Sequence, residues 1–166
     1  PEELQDLVVR IKELAPEAVA INLLFSFLDD SSEVAIEKAI TDSGLPVFVS
    51  RSSAVLPVYK EYERGIATWL NASLGPVVSG YLSRLRASMN RCSLRIMQSN
   101  GETLDAGTAA ESAVRLLLSG PAGGLIAMKT LGEQAAVSKI ISFDMGGTST
   151  DVALLDGEIA TTSEGY

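Results

Sequence analysis

Histidine is absent from the 166 residues, and cysteine occurs once, at Cys92. Without histidine the chain cannot assemble a Ser-His-Asp triad, a histidine general base or a histidine-rich zinc site. A single cysteine excludes an internal disulfide and a cysteine metal cluster. Cys92 follows Arg91 and could form a thiolate, but no histidine is available to activate it. Long apolar runs are missing as well. The most apolar stretches, residues 18–25 and 116–118, fall far short of the roughly 20 residues that span a bilayer. No Lys/Arg-led apolar signal opens the sequence, so the expected setting is the cytoplasm, with no membrane partner. The start at Pro1-Glu2-Glu3 instead of Met is what a fragment or a processed chain shows.

Basic charge is scarce too. There are 13 Lys/Arg against 21 Asp/Glu, a formal net charge of −8. A phosphate-binding surface for nucleic acid needs a cationic face, so no nucleic-acid partner is expected. The local exception is residues 51–95, with seven Lys/Arg against two Glu, read as solvated helix faces. The remaining composition is that of an ordinary globular protein, 46% hydrophobic and 20% charged, with mean hydropathy +0.23. Those values exclude a disordered or collagen-like chain, and the length suffices for one core or slightly more.

The hydrophobic pattern predicts an α/β fold. Over residues 2–15 the apolar positions Leu4, Leu7, Val8, Ile11 and Leu14 share one helical face, and Pro16 ends the run. Residues 18–27 read as a strand buried on both faces. Asp30 with Glu33 three residues later reads as a capping box for a helix to Ser43, and Gly44 as its left-handed stop. Residues 45–50 supply a second strand and complete a βαβ unit. Residues 59–91 are helical in period but carry Gly75-Pro76, which predicts two helices or one kinked there. Further strands are expected at 93–98, 114–118, 139–143 and 150–155, and a short helix at 106–112. A small-residue loop at 119–124 should lead into a helix ending near Gly132, and Asp156-Gly157 is a hairpin-turn dipeptide.

Chemistry concentrates in residues 140–154. An apolar strand ends in Asp144; then come Met145, Gly146, Gly147, Thr148, Ser149 and Thr150, a second carboxylate, Asp151, and another apolar strand. Glycines let a backbone turn sharply and approach a ligand. Successive turn N–H groups, with the Thr148 and Ser149 hydroxyls, can form a concave anion site. Asp144 could hold Mg²⁺, which favours a few carboxylates plus phosphate oxygens. The plainer alternative is a glycine-rich hairpin with no ligand, and two acids around the Gly-Gly-Thr core favour phosphate. The stretch Ser119-Gly120-Pro121-Ala122-Gly123-Gly124 admits an anion cradle at a helix end. It admits equally a bare helix side, at Gly120, Gly124 and Ala127, that a neighbouring helix can approach closely; the second reading is favoured. It is not a P-loop, because Met128 stands before Lys129-Thr130 where that pattern requires glycine.

The order of small-residue helix, apolar strand, Asp-x-Gly-Gly-Thr, second Asp and apolar strand resembles the second phosphate motif, with its preceding connecting helix, of the actin, sugar kinase and Hsp70 ATPase superfamily. More narrowly, residues 97–101 (Met-Gln-Ser-Asn-Gly), 118–123 (Leu-Ser-Gly-Pro-Ala-Gly) and 143–154 resemble the hydantoinase A/5-oxoprolinase family, as do Leu56-Pro57, Glu61-Tyr62-Glu63-Arg64 and Leu70-Asn71-Ala72. The resemblance implies an actin-like, ribonuclease H-like fold of βαβ units with helices on a mixed sheet. It implies an ATP- and Mg²⁺-dependent hydrolase that opens a five-membered cyclic amide, a hydantoin or 5-oxoproline, through a phosphorylated intermediate. Alternatives within the superfamily are an ATP-dependent ketone carboxylase subunit, a sugar or carboxylate kinase, and a non-catalytic nucleotide switch.

By matching positions, Asp144 and Asp151 would be the metal- and water-ordering carboxylates, and Gly146, Gly147, Thr148 and Ser149 the phosphate cradle. Residues 1–138 would be the later part of the first ATPase domain with its connecting helix, and 139–166 the opening hairpin of the second. A second, B-type subunit or domain is the implied protein partner. The sequence departs from the superfamily in showing Asp-x-Gly-Gly-Thr once and no adenosine-binding segment, so it reads as an internal slice that is inactive alone.

Overall fold

A computed structural model describes residues 2–89 and 92–159, and they form two compact units. The first comprises residues up to 94 together with 106–114; the second comprises 95–105 and 115 onward.

The first unit is built on the expected βαβ. Helix α1 (Glu2–Leu14) precedes β1 (Ala18–Ile21), α2 (Ser31–Asp42) and β2 (Phe48–Arg51). β1 and β2 run parallel, from Ala18 opposite Phe48 to Ile21 opposite Arg51. Ile11, Ile21 and Ile40 form the buried core, flanked by Leu7, Val19, Leu23, Ile36 and Val49. Gly44 takes the left-handed conformation (φ 69) that ends α2.

β1 stops well short of the predicted residue 27 for a specific reason. The Leu23 N–H donates to the Glu33 carboxylate (2.9 Å) and the Leu23 carbonyl accepts from Arg64 (2.8 Å), so the chain leaves the ladder there. Phe25 then turns left-handed (φ 60). The capping box is also not made. Asp30 is the N-cap residue of α2 without a side-chain cap bond; its carboxylate pairs with Arg51 (2.9 Å), and Asp29 accepts the Ser31 N–H instead (3.0 Å).

After the single turn α3 (Ser52–Val55), α4 (Glu61–Ser88) runs as one 28-residue helix with Pro76 inside it. Proline deprives the Ala72 carbonyl of its usual N–H partner and alone would break the helix. Packing overrides that preference. Gly75 lies against the Phe48 ring so closely that a Cβ would overlap it. Asn71 donates to Ser50 Oγ (3.0 Å) and the Glu111 carbonyl (3.0 Å) and accepts from the Val114 N–H (3.1 Å). Helix α5 (Ala106–Glu111) lies against α4. The predicted strand at 114–118 is instead a 3-10 turn, Ala113–Leu116.

The second unit begins with an antiparallel ribbon, β3 (Arg95–Met97) and β4 (Thr103–Asp105), of which sequence reading expected only the first strand. Helix α6 (Ser119–Ala135) follows. The small-residue stretch predicted as a loop is its first turns. Leu118, left-handed at φ 60, makes the corner, and Pro121 sits where an N–H would have no helical partner anyway. The unit ends with the hairpin β5 (Lys139–Met145) and β6 (Thr150–Asp156).

Candidate functional site

Alternation along the β5–β6 hairpin sorts its side chains onto two faces. One carries Ile140, Ser142, Asp144, Asp151, Ala153 and the buried Leu155; the other carries Ile141, Phe143, Met145, Val152 and Leu154, all exposed. The pairing sets Asp144 directly opposite Asp151, with Ser142 opposite Ala153 and Met145 opposite Thr150. The four residues expected to cradle an anion form the connection, closed by the Gly146 N–H donating to the Ser149 carbonyl (3.0 Å). All six predicted site residues therefore lie at one end of one hairpin, and all are exposed.

Neither Gly146 nor Gly147 adopts a positive φ, so the turn is not one that glycine alone can make. Crowding does not demand glycine either: a Cβ at 147 would meet nothing within 4 Å, and one at 146 only the Ser149 carbonyl at 3.9 Å. What the two glycines provide is bare backbone beside two carboxylates. A cavity of about 490 Å³ adjoins the pair, lined by Pro121, Gly124 and Leu125 of α6 and by Ser142, Asp144 and Asp151 of the hairpin.

Among the described residues no three Asp, Glu, His or Cys side chains gather into a protein-only cation cage. Two carboxylates on one rung suit Mg²⁺, which keeps several waters and takes one or two carboxylates plus phosphate oxygens. The favoured close-packing role for Gly120 and Gly124 is not realised among the described residues, where a Cβ at either position meets nothing within 4 Å. The crowded glycine of α6 is Gly132, whose Cβ would lie 2.5 Å from Ile140 Cδ1 and 2.9 Å from the Val137 carbonyl.

Sequence reading missed a buried polar network in the first unit. Arg64, expected on a solvated face, is wholly buried. It donates from Nε to Ser52 Oγ (3.1 Å) and Asn22 Oδ1 (3.2 Å), and from its Nη atoms to the Val58 (2.9 Å) and Leu23 (2.8 Å) carbonyls. Its guanidinium lies 5.5 Å from the centre of the Phe27 ring. Glu33, also wholly buried, accepts from Leu23 N–H (2.9 Å), Ser52 Oγ (2.6 Å) and Ser53 N–H (2.8 Å). Burial pushes its carboxyl up, but the Ser52, Ser53 and Leu23 donors outweigh that and hold it at about 2, below the usual 4.5. The available signal was weak: Arg64 follows Lys60, Glu61 and Glu63 and is the last charged residue before the uncharged run 65–83.

The sequence profile of the hydantoinase/oxoprolinase family matches residues 64–166. The chain is 34% identical to 5-oxoprolinase 1 of Arabidopsis thaliana, over 94% of its own length and 12% of that protein. It is 34% identical to caprolactamase subunit alpha of Pseudomonas jessenii, over 88% of its length and 22% of the relative. Among solved structures, ATP-dependent caprolactamase from Pseudomonas jessenii superposes with a TM-score of 0.78 at 30% identity, covering 91% of this chain and 22% of that one. The nucleotide-free structure of acetone carboxylase, described for ATP-dependent acetone carboxylation, gives 0.74 at 28% identity, covering 96% and 23%. The chain thus spans less than a quarter of each of these relatives. A profile covering most of the chain and shared architecture over nearly all of it agree: the chain belongs to the hydantoinase/oxoprolinase family, with a mixed α/β fold of the actin and Hsp70-like ATPase superfamily.

Proposed function

We propose that this chain is part of the ATP-handling core of a longer cytoplasmic enzyme that opens a five-membered cyclic amide, a hydantoin or 5-oxoproline, through a phosphorylated amide. The observation that carries the reading is the Asp144–Asp151 rung beside an uncrowded Gly146-Gly147 turn. In this reading residues 1–138 are the later part of the first ATPase domain, with α6 as connecting helix, and residues 139–166 open the second. Bound Mg-ATP supplies the transferable phosphoryl group and a Lewis acid that offsets its charge. Asp144 and Asp151 would hold the cation and order water around it. The Gly147, Thr148 and Ser149 amides and the Thr148 and Ser149 hydroxyls would donate to phosphate oxygens, while Gly146, whose N–H closes the turn on the Ser149 carbonyl, would leave bare backbone beside them; such positioning and charge stabilisation is what phosphoryl transfer depends on. The names of the oxoprolinase and caprolactamase relatives support a cyclic amide as substrate. The caprolactamase relative is a subunit, which supports a second, B-type partner.

The likeness to acetone carboxylase favours a second reading, ATP-dependent carboxylation of a ketone. One assay separates the readings. The complete protein, with its partner if one co-purifies, is given ATP and in turn 5-oxoproline, hydantoin, caprolactam, and acetone with bicarbonate, and products are identified by mass spectrometry. An opened ring with stoichiometric ADP supports the hydrolase, and a carboxylated ketone supports the carboxylase. A stable phosphorylated small molecule would replace both with a kinase. ATP turnover indifferent to every substrate would leave a nucleotide switch.

A further inference from the structure

Helix α6 and the carboxylate face of the β5–β6 hairpin touch at one end and part at the other. At Gly132 they are so close that a Cβ would lie 2.5 Å from Ile140 Cδ1. About two helical turns earlier, at Gly124, a Cβ meets nothing within 4 Å among the described residues. The cavity of about 490 Å³ opens where they part. Along this face of the hairpin the order is the Gly146–Ser149 turn, the Asp144–Asp151 rung, the Ser142–Ala153 rung and the Ile140–Leu155 rung. At about 3.3 Å per residue, successive rungs on one face stand about 7 Å apart. The two carboxylates therefore lie between different surroundings. Toward the turn are backbone amides and hydroxyls. Toward the strands is the cavity, walled by Pro121, Gly124 and Leu125 of the helix and by Ser142 and Ala153 of the hairpin. Ser142 is half-buried, and its hydroxyl makes no hydrogen bond among the described residues.

We propose that this cavity seats the phosphoryl acceptor, the ring of a cyclic amide, with the Ser142 hydroxyl bonding the amide group and Gly124 setting how large a ring enters. This rests on the reading of the chain as part of a cyclic-amide hydrolase and adds to it the residues that select the substrate. Phosphoryl transfer places the leaving and attacking oxygens roughly in line, on opposite sides of the transferred group. With the phosphates at the turn, the attacking amide oxygen comes from the other side of the carboxylate rung, which is where the cavity lies. The lining matches a ring that is mostly hydrocarbon with one polar edge. Pro121, Leu125 and Ala153 present carbon. A serine hydroxyl donates to a carbonyl and accepts from an N–H, so Ser142 serves either half of an amide. A stretch of polypeptide seated permanently in the same space would instead bury two like charges and shut the acceptor out.

The test is steady-state kinetics of the complete protein with ATP and, in turn, hydantoin, 5-oxoproline and caprolactam. Ser142→Ala should raise KM for the ring about three- to tenfold, as loss of one hydrogen bond does, and Ser142→Thr, which keeps the hydroxyl, should restore it. Gly124→Leu should raise KM at least about tenfold, most for the largest ring the parent opens. In every variant KM for ATP should stay within about twofold of the parent, the split that separates ring binding from nucleotide binding. Thermal melts check that the variants fold, and the conservative change at Ser142 keeps the test open should Gly124→Leu fail to. A KM for ATP raised as much as that for the ring would put nucleotide in the cavity. An unchanged KM for the ring in both Ser142→Ala and Gly124→Leu would mean that other parts of the complete protein fill it. Either result overturns the acceptor site while the ring-opening reaction stands. A parent that opens none of the three rings would overturn the reaction, and the acceptor site with it.

Discussion

Asp144 and Asp151 share one rung of the β5–β6 hairpin, two carboxylates set directly opposite each other across antiparallel strands. Like charges so placed cost a sheet about 0.2–1 kcal/mol. Asp144→Asn and Asp151→Asn should therefore leave thermal stability equal to or slightly above that of the parent. In the complete enzyme each should lower ATP turnover at least tenfold, about 1.4 kcal/mol of barrier. Melting curves and steady-state ATP hydrolysis check the two halves together. Retention of more than about half the activity in both variants would make the hairpin a structural turn.

Glu33 gives the first unit a specific acid response. Its folded carboxyl lies at about 2 against an ordinary 4.5, so the unfolded chain takes up the proton first as pH falls. The contribution is complete above about 4.5 and disappears as pH approaches 2. Glu33→Gln should lose about 1–3 kcal/mol at neutral pH, the range for leaving a buried donor without its acceptor. Urea unfolding at successive pH values should show the parent and variant curves converging in acid; parallel curves would remove Glu33 from the account.

At Gly75 the expected effect is steric. A methyl there overlaps the Phe48 ring, and overpacking of a core contact typically costs about 1–3 kcal/mol. Gly75→Ala should fall in that range, although alanine is the better helix former by about 1 kcal/mol. Adding Phe48→Leu should recover part of the loss. Chemical denaturation of the single and double variants decides it, and a stabilised Gly75→Ala would refute the close approach.

Gly124 and Gly132 lie on the same helix and should respond in opposite directions. Among the described residues nothing lies within 4 Å of a Cβ at Gly124, so Gly124→Ala should be neutral or gain up to about 1 kcal/mol from helix propensity. Gly132→Ala drives a methyl against Ile140 and the Val137 carbonyl and should destabilise by about 1–3 kcal/mol. Thermal melts of the two variants test the contrast. A Gly124→Ala loss as large as that of Gly132→Ala would return Gly124 to the close-packed role read from sequence.

Local structure was legible where neighbours in sequence are neighbours in space. The amphipathic run of α1, the βαβ order, the Gly44 stop and the gathering of the six site residues on one hairpin all follow from period and turn residues. The misreadings share a different cause, a partner distant in sequence. Glu33 three residues after Asp30 satisfies a capping pattern, but Ser52, Ser53 and Leu23 claim its oxygens. Pro76 should break a helix, but contacts with Phe48, Ser50 and Glu111 hold the chain on course. Arg64 looks like any surface arginine until Asn22, Leu23 and Val58 are brought to it by the fold. The turn formed by residues 119–124 was misread because its decisive residue, Leu118, betrays no left-handed preference in its identity.

The Glu33 carboxylate takes the Leu23 amide on one oxygen and the Ser53 amide on the other. These amides lie on the segments that leave the two parallel strands, and no backbone ladder bond protects either of them. Their shielding from solvent deuterium is a property of one side chain. Any fluctuation that withdraws it opens both positions in the same event, so the two amides keep a single exchange clock although their segments are joined by the whole of α2.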